Sequence, residues 1–137
     1  MSYLLDTRVF LWVLFDPDRL NKKARQAIEN PGNTVYVSAA TYWEISLKYA
    51  LGKLVLTNVL PDALPDISGQ MDFETMDIDV DTASTFYKLP RDTHKDPFDR
   101  LVVWQAITRN VTPITKDKGY QFLSEAWSQD PLAVMFL

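Results

Sequence analysis

The chain has 137 residues, a formal net charge of −4, one histidine and no cysteine. That length fits one domain, enough to bury roughly two thirds of the surface its unfolded form exposes. Disulfides, thiolate metal sites and His-rich zinc sites are excluded, so any metal must be held mainly by oxygen, as Mg²⁺, Mn²⁺ or Ca²⁺ are. No apolar run approaches the ~20 residues that span a bilayer, and no signal-peptide pattern opens the chain, so it reads as cytoplasmic with no membrane contact. The acidic balance leaves no global basic footprint for nucleic acid. A nuclease is still compatible, because clustered site carboxylates count as negative until a cation neutralises them.

Ser2 to Leu5 is a short apolar run, a buried first strand ending at Asp6-Thr7. Val9 to Phe15 reads as a short helix closed by Asp16-Pro17, and Asn21 caps a second carrying Ala24, Ala27 and Ile28 on one face. Thr34 to Val37 is β-branched and aromatic, a second strand. Ser38 follows, then a helix over Ala39 to Leu51 that Gly52 stops. Pro61, Pro65 and Gly69 make 58–72 a broken helix or helix plus loop. Phe73 to Ile78 alternates as a third strand, and Asp79 or Asp81 caps a helix through Leu89, ended by Pro90. Asp96-Pro97 opens a helix running to about Asn110, and Val111 to Thr115 is a fourth strand. A short helix from about Lys118 to Leu123 and an edge strand within Leu132 to Leu137 close the chain.

Strands alternate with helices, and no Asn-Gly hairpin signal joins two strands. The pattern predicts an α/β fold, a three-layer α/β/α sandwich around a mainly parallel sheet of four to five strands. Internal repeats and linkers are absent, so residues 1–137 read as one domain.

In such a sheet the strand C-termini and the following helix N-termini share one edge, where ligands bind. Asp6, Glu44, Asp99 and Asp117 all fall at that edge. Four carboxylates without a partner would repel one another and raise their pKa values. A divalent cation removes the problem, and Mg²⁺ takes carboxylate and water oxygens while bridging to substrate phosphate. Each acid also has a plainer reading. Thr41 and Glu44 fit a capping box, Glu44 and Lys48 fit an i,i+4 ion pair, Asp117 fits a turn, and Asp96 fits a helix cap. Asp6 has no evident structural job. Thr7, Ser38 and Thr115 read as supporting or capping hydroxyls, His94 as a loop residue, and Trp43 and Trp104 as core or interface.

Tyr3-Leu-Leu-Asp-Thr-Arg-Val-Phe-Leu-Trp12, Val37-Ser-Ala-Ala-Thr-Tyr-Trp-Glu-Ile-Ser-Leu-Lys48 and Gly52-Lys53-Leu54 resemble PIN-domain proteins, above all the VapC-type toxins of toxin–antitoxin pairs. His94-Lys-Asp-Pro-Phe-Asp-Arg-Leu101 and Ile114-Thr-Lys-Asp117 continue the pattern. The resemblance implies a Mg²⁺- or Mn²⁺-dependent endoribonuclease whose acidic site falls on Asp6, Glu44, Asp99 and Asp117, with Asp96 as neighbouring acid and cap. It also implies a homodimer, of higher order when bound to an inhibitory antitoxin whose C-terminal segment covers the acidic groove. The 89–94 segment is one residue longer than usual, Trp104 replaces a commoner small residue, and the tail after Phe122 matches weakly.

On this reading Lys48, Lys53, Lys95, Arg100, Lys116 and Lys118 are candidates to steer the RNA backbone, each also readable as a solvated surface charge. Two other readings stand beside this one. One is a PIN nuclease of RNA processing or decay rather than a toxin. The other is a receiver-like phosphoacceptor using Asp77 or Asp79, which leaves Glu44 and Asp99 without a role.

Overall fold

A computed structural model describes residues 1–91, 95–116 and 135–136 of the chain. Five strands, β1 (Ser2–Leu5), β2 (Thr34–Ser38), β3 (Glu74–Met76), β4 (Thr112–Thr115) and β5 (Met135–Phe136), form one sheet in the order β3-β2-β1-β4-β5. Every pairing is parallel, and the register sets Leu5 level with Val37 on one side and Ile114 on the other. The helices among the described residues are α1 (Thr7–Phe15), α2 (Lys22–Glu29), α3 (Ala39–Ala50), α4 (Leu64–Gln70), α5 (Val80–Thr85) and α6 (Pro97–Arg109).

Side chains alternate across a strand, and β1 is apolar on both sides. Tyr3 and Leu5 enter a core with Val9, Phe10, Ala24, Ile45 and Leu64, which places α1, α2 and α4 on that face. Leu4 points the other way, to Ala40, Met76, Val102 and Ala106, where α6 packs. These are the three layers expected. Trp104, Val103 and Leu89 extend the second face, and the Trp104 indole N–H donates to the Thr82 carbonyl at 3.1 Å, tying α6 to α5.

Several local expectations shift. Asp6 does have a structural job: its carboxylate accepts from the Val9 N–H at 2.7 Å, so α1 begins at Thr7. The helix after β2 is capped by Ser38, whose Oγ accepts from the Ala40 N–H at 2.9 Å, so Thr41 and Glu44 form no capping box. The third strand keeps only three of six expected residues. It is an edge strand and pairs on one side alone, while Phe73 still packs into the first core. Of the two candidate caps, Asp79 takes the position and Asp81 lies in the first turn, but the helix ends at Thr85 and tightens into a 3-10 turn over Phe86–Lys88. Thr85 Oγ1 donates back to the Asp81 carbonyl at 2.6 Å, and Leu89 stands before a proline, which disfavours helical backbone there.

The remaining boundaries follow their local chemistry. Asn21 caps α2 through the Ala24 N–H, and Gly52 at φ 71° ends α3. Pro61–Ala63 forms a 3-10 turn running into α4. Asp96 accepts from the Phe98 and Asp99 N–H groups, Pro97 fills the first turn of α6, and Asn110 closes it at φ 57°. The helix expected from Lys118, together with Asp117, Lys118 and His94, lies outside the described residues.

Candidate active site

A cleft of about 730 Å³ opens at the C-terminal edge of the sheet. Asp6, Glu44, Asp96 and Asp99 line it, with Arg8, Lys48, Lys53 and Lys116 as its basic residues and Leu11, Ile45 and Leu54 as apolar wall. Each acid arrives by a local rule. Asp6 follows the central strand, Glu44 sits in the second turn of α3, and Asp96 and Asp99 are the cap and third residue of α6.

Glu44, Asp96 and Asp99 each offer a carboxylate oxygen, and the three oxygens lie within 4.8 Å of one another. Glu44 is only 4% exposed. Its Oε2 is held by the Lys48 ammonium one helical turn on, while its buried Oε1 has no hydrogen-bond partner among the described residues. An unpartnered buried carboxylate oxygen is costly unless a cation meets it. The hydrogen bond to Glu44 pushes the Lys48 ammonium pKa up, against burial, and the charges of Glu44, Asp96 and Asp99 add to the rise.

Asp6 stands apart from this trio although it lines the same cleft. Its second oxygen accepts from Thr115 Oγ1 at 2.6 Å. Burial pushes the Asp6 carboxyl pKa up. The hydrogen bonds from Thr115, Val9 and the Lys116 backbone, and the charge of Arg8, oppose that rise without cancelling it.

The PIN domain family model matches residues 3–125 of the chain. This chain belongs to the PIN domain family. Ribonuclease VapC22 of Mycobacterium tuberculosis is 30% identical over 117 residues, covering 85% of this chain and 88% of that protein. Among solved structures, VapBC2 from Rickettsia felis, crystallised with a DNA fragment from its promoter, superposes with a TM-score of 0.66 at 18% identity. That match covers 98% of this chain and 97% of the other. FitAcB from Neisseria gonorrhoeae gives 0.60 at 20% identity, covering 98% and 96%. These likenesses show that the three-layer architecture is the PIN fold.

Within this PIN domain the cleft gathers three of the four expected acids, Asp6, Glu44 and Asp99. Asp96, expected as a cap and neighbour, both caps α6 and completes the trio with Glu44 and Asp99. The supporting hydroxyls take three routes. Thr115 holds Asp6, Thr7 donates to Thr41 at 3.2 Å across α1 and α3, and Ser38 donates to Gln105 as well as capping α3. Of the basic candidates, Lys48, Lys53 and Lys116 line the cleft. Arg100 does not, because its guanidinium donates to the Leu89 and Pro90 carbonyls and lies over the Phe86 ring. Lys95 is exposed and outside the lining. Trp104 is core, as expected, whereas Trp43 is 58% exposed with its ring edge-on to Phe98.

Sequence reasoning missed two residues. Arg8 lines the cleft beside Asp6, and its signal was a cation two places after the first acid. Gln105 is fully buried between Ser38 and the Asp77 carbonyl, and its signal was one amide inside the apolar run of α6.

Proposed function

We propose that this PIN-domain chain is a Mg²⁺- or Mn²⁺-dependent endoribonuclease, the cytoplasmic toxin of a VapBC-type toxin–antitoxin pair, with one domain accounting for the chain. The buried, unpartnered Glu44 oxygen beside Asp96 and Asp99 carries the metal reading. The all-oxygen donor set suits Mg²⁺ or Mn²⁺. Likeness to a ribonuclease over 85% of the chain carries the RNA reading. Glu44, Asp96 and Asp99 would hold the ion, with Asp6 and Asp117 as the further acids of the site. A divalent cation bound there supplies the charge that lowers the pKa of a water nucleophile and stabilises a phosphoryl group in transition.

The chain's own groups do the rest. Arg8, Lys53 and Lys116 present positive charge along the cleft to the RNA backbone. Thr115 and the Val9 N–H fix the Asp6 carboxylate in one orientation, so it needs no reorganisation as charge develops. Hydrolysis breaks the P–O3′ bond and leaves 5′-phosphate and 3′-hydroxyl ends. A cognate antitoxin would inhibit by covering this cleft, and a homodimer, joined into a larger assembly by the antitoxin, is the expected working form. No helix among the described residues is long and apolar enough to cross a membrane.

The test is cleavage of structured RNA with Mg²⁺ or Mn²⁺ by the wild type, Glu44→Gln and Asp99→Asn. Loss in both variants, with growth arrest on expression that an antitoxin relieves, is expected. Equal cleavage by all three proteins overturns the site, and unimpaired growth on expression overturns the toxin assignment.

A further inference from the structure

Lys48 is a charged cleft residue that this function leaves unused. It lies one turn after Glu44 on α3, so the same helix geometry that aims Glu44 into the cluster aims the ammonium at it. The ammonium contacts Glu44 Oε2, and its charge is also felt by Asp96 and Asp99. Four carbons of flexible stem hold a compact, strongly hydrated charge whose side chain is 40% exposed, so it can leave the cluster without unpacking a core. Glu44 cannot move in the same way, with its side chain 5% exposed. Lys48 compensates one oxygen of Glu44, and the other meets no partner among the described residues. One monovalent cation therefore answers only one of the two oxygens that Glu44 brings to the cluster.

We propose that Lys48 is the resident counter-ion of the Glu44–Asp96–Asp99 cluster, that a divalent cation competes with it for Glu44, and that Lys48 thereby sets the metal affinity of the site. This inference rests on the metal reading above. In the metal-free protein the ammonium keeps three nearby carboxylates from repelling one another. Once a doubly charged ion sits among them, Lys48 has lost its purpose there and repels the ion instead. The site gives up metal affinity in exchange for a cluster that stays folded between loadings.

The sign of the effect separates this role from a merely structural one. A residue that only braced Glu44 would, on removal, leave metal binding unchanged or weaken it. A competing counter-ion, on removal, strengthens it. Calorimetric titration with Mn²⁺ alone, at low ionic strength and neutral pH, compares the wild type with Lys48→Met and Lys48→Arg. Lys48→Met should bind Mn²⁺ about tenfold more tightly, the scale on which one neighbouring charge moves an ionic equilibrium. In chelator its thermal midpoint should fall below that of the wild type, and the Mn²⁺-induced rise should be larger. Lys48→Arg, which keeps the charge on a differently shaped head, should stay closer to the wild type than Lys48→Met does. Should Lys48→Met not fold in chelator, Lys48→Gln, which keeps a donor without the charge, is titrated under the same criterion. Unchanged or weaker Mn²⁺ binding in the neutral variant overturns the inference and leaves the metal site standing. Absence of Mn²⁺ binding in the wild type overturns both.

Discussion

Asp6 and Asp79 do the same local work in two parts of the molecule. Each lies beyond a strand and caps the next helix, accepting from a backbone N–H three residues on at 2.7 Å. Their electrostatics are opposite. Asp6 leaves the central strand, so the end of β4 walls it in and Thr115 meets its second oxygen. Asp79 follows the outermost strand, half exposed, and its second oxygen takes Arg109 at 2.8 Å. Burial pushes the first carboxyl pKa up. Hydrogen bonds from Thr82, with Arg109 adding its charge, hold the second down. One sequence rule thus yields a buried acid poised in a cleft and an ordinary surface cap, and sheet position makes the difference.

The largest test of that contrast is catalytic. Asparagine caps a helix as well as aspartate does, so Asp6→Asn and Asp79→Asn both keep their helices. RNA cleavage should fall on the order of 100-fold in the first, the loss usual when one preorganised electrostatic group is removed, and stay unchanged in the second. Equal loss in both would erase the distinction.

The pH dependence of stability should then differ in sign. Asp6 has a folded pKa above 3.8, so it favours folding below that value, and the contribution is lost as pH rises through the folded pKa. Asp79 has a folded pKa below 3.8, so its contribution is present above that value and disappears as pH falls through the folded pKa. Urea melts in chelator across this range, comparing wild type with each asparagine variant, should show the wild type losing ground to Asp6→Asn with rising pH. Against Asp79→Asn it should gain ground.

Smaller effects sharpen the picture. Thr115→Val removes the hydroxyl donor to a buried Asp6 oxygen and should cost about 1–3 kcal/mol in a denaturant titration. On the other side α5 is anchored by Trp104 as well as by its cap. Trp104→Phe, which removes the indole N–H bond to the Thr82 carbonyl, should cost about 0.5–1.5 kcal/mol. Arg109→Ala, which opens the exposed pair with Asp79, should not move the denaturation midpoint beyond experimental error. A large loss there would mean that the surface cap is no mere surface feature.

Much of this was legible from residue order. The apolar run before Asp6, the β-branched Thr34–Val37 and the Asp96-Pro97 start each carry a local signal strong enough to place an element. The convergence of Glu44 with Asp99 followed from parallel topology, because that topology puts strand ends and helix starts on one edge. What local order could not say is which groups would share an atom-scale site. Asp96 has the signature of a cap and is one, yet it also stands in the carboxylate trio. Asp6, expected in the acidic site without a structural role, is a helix cap as well and lines the same cleft.

The sequence by itself therefore determined the layers, the order of alternation and the edge where acids gather, since these depend on periodicity, capping and chain connectivity. Only the tertiary structure decided how far each carboxylate is buried and what meets its second oxygen. It placed Lys48 and not Arg100 in the cleft, gave Asp6 to Thr115, and left one oxygen of Glu44 without a partner among the described residues. Those outcomes turn on desolvation and on contacts between residues far apart in the chain, and neither is encoded in the spacing of neighbours.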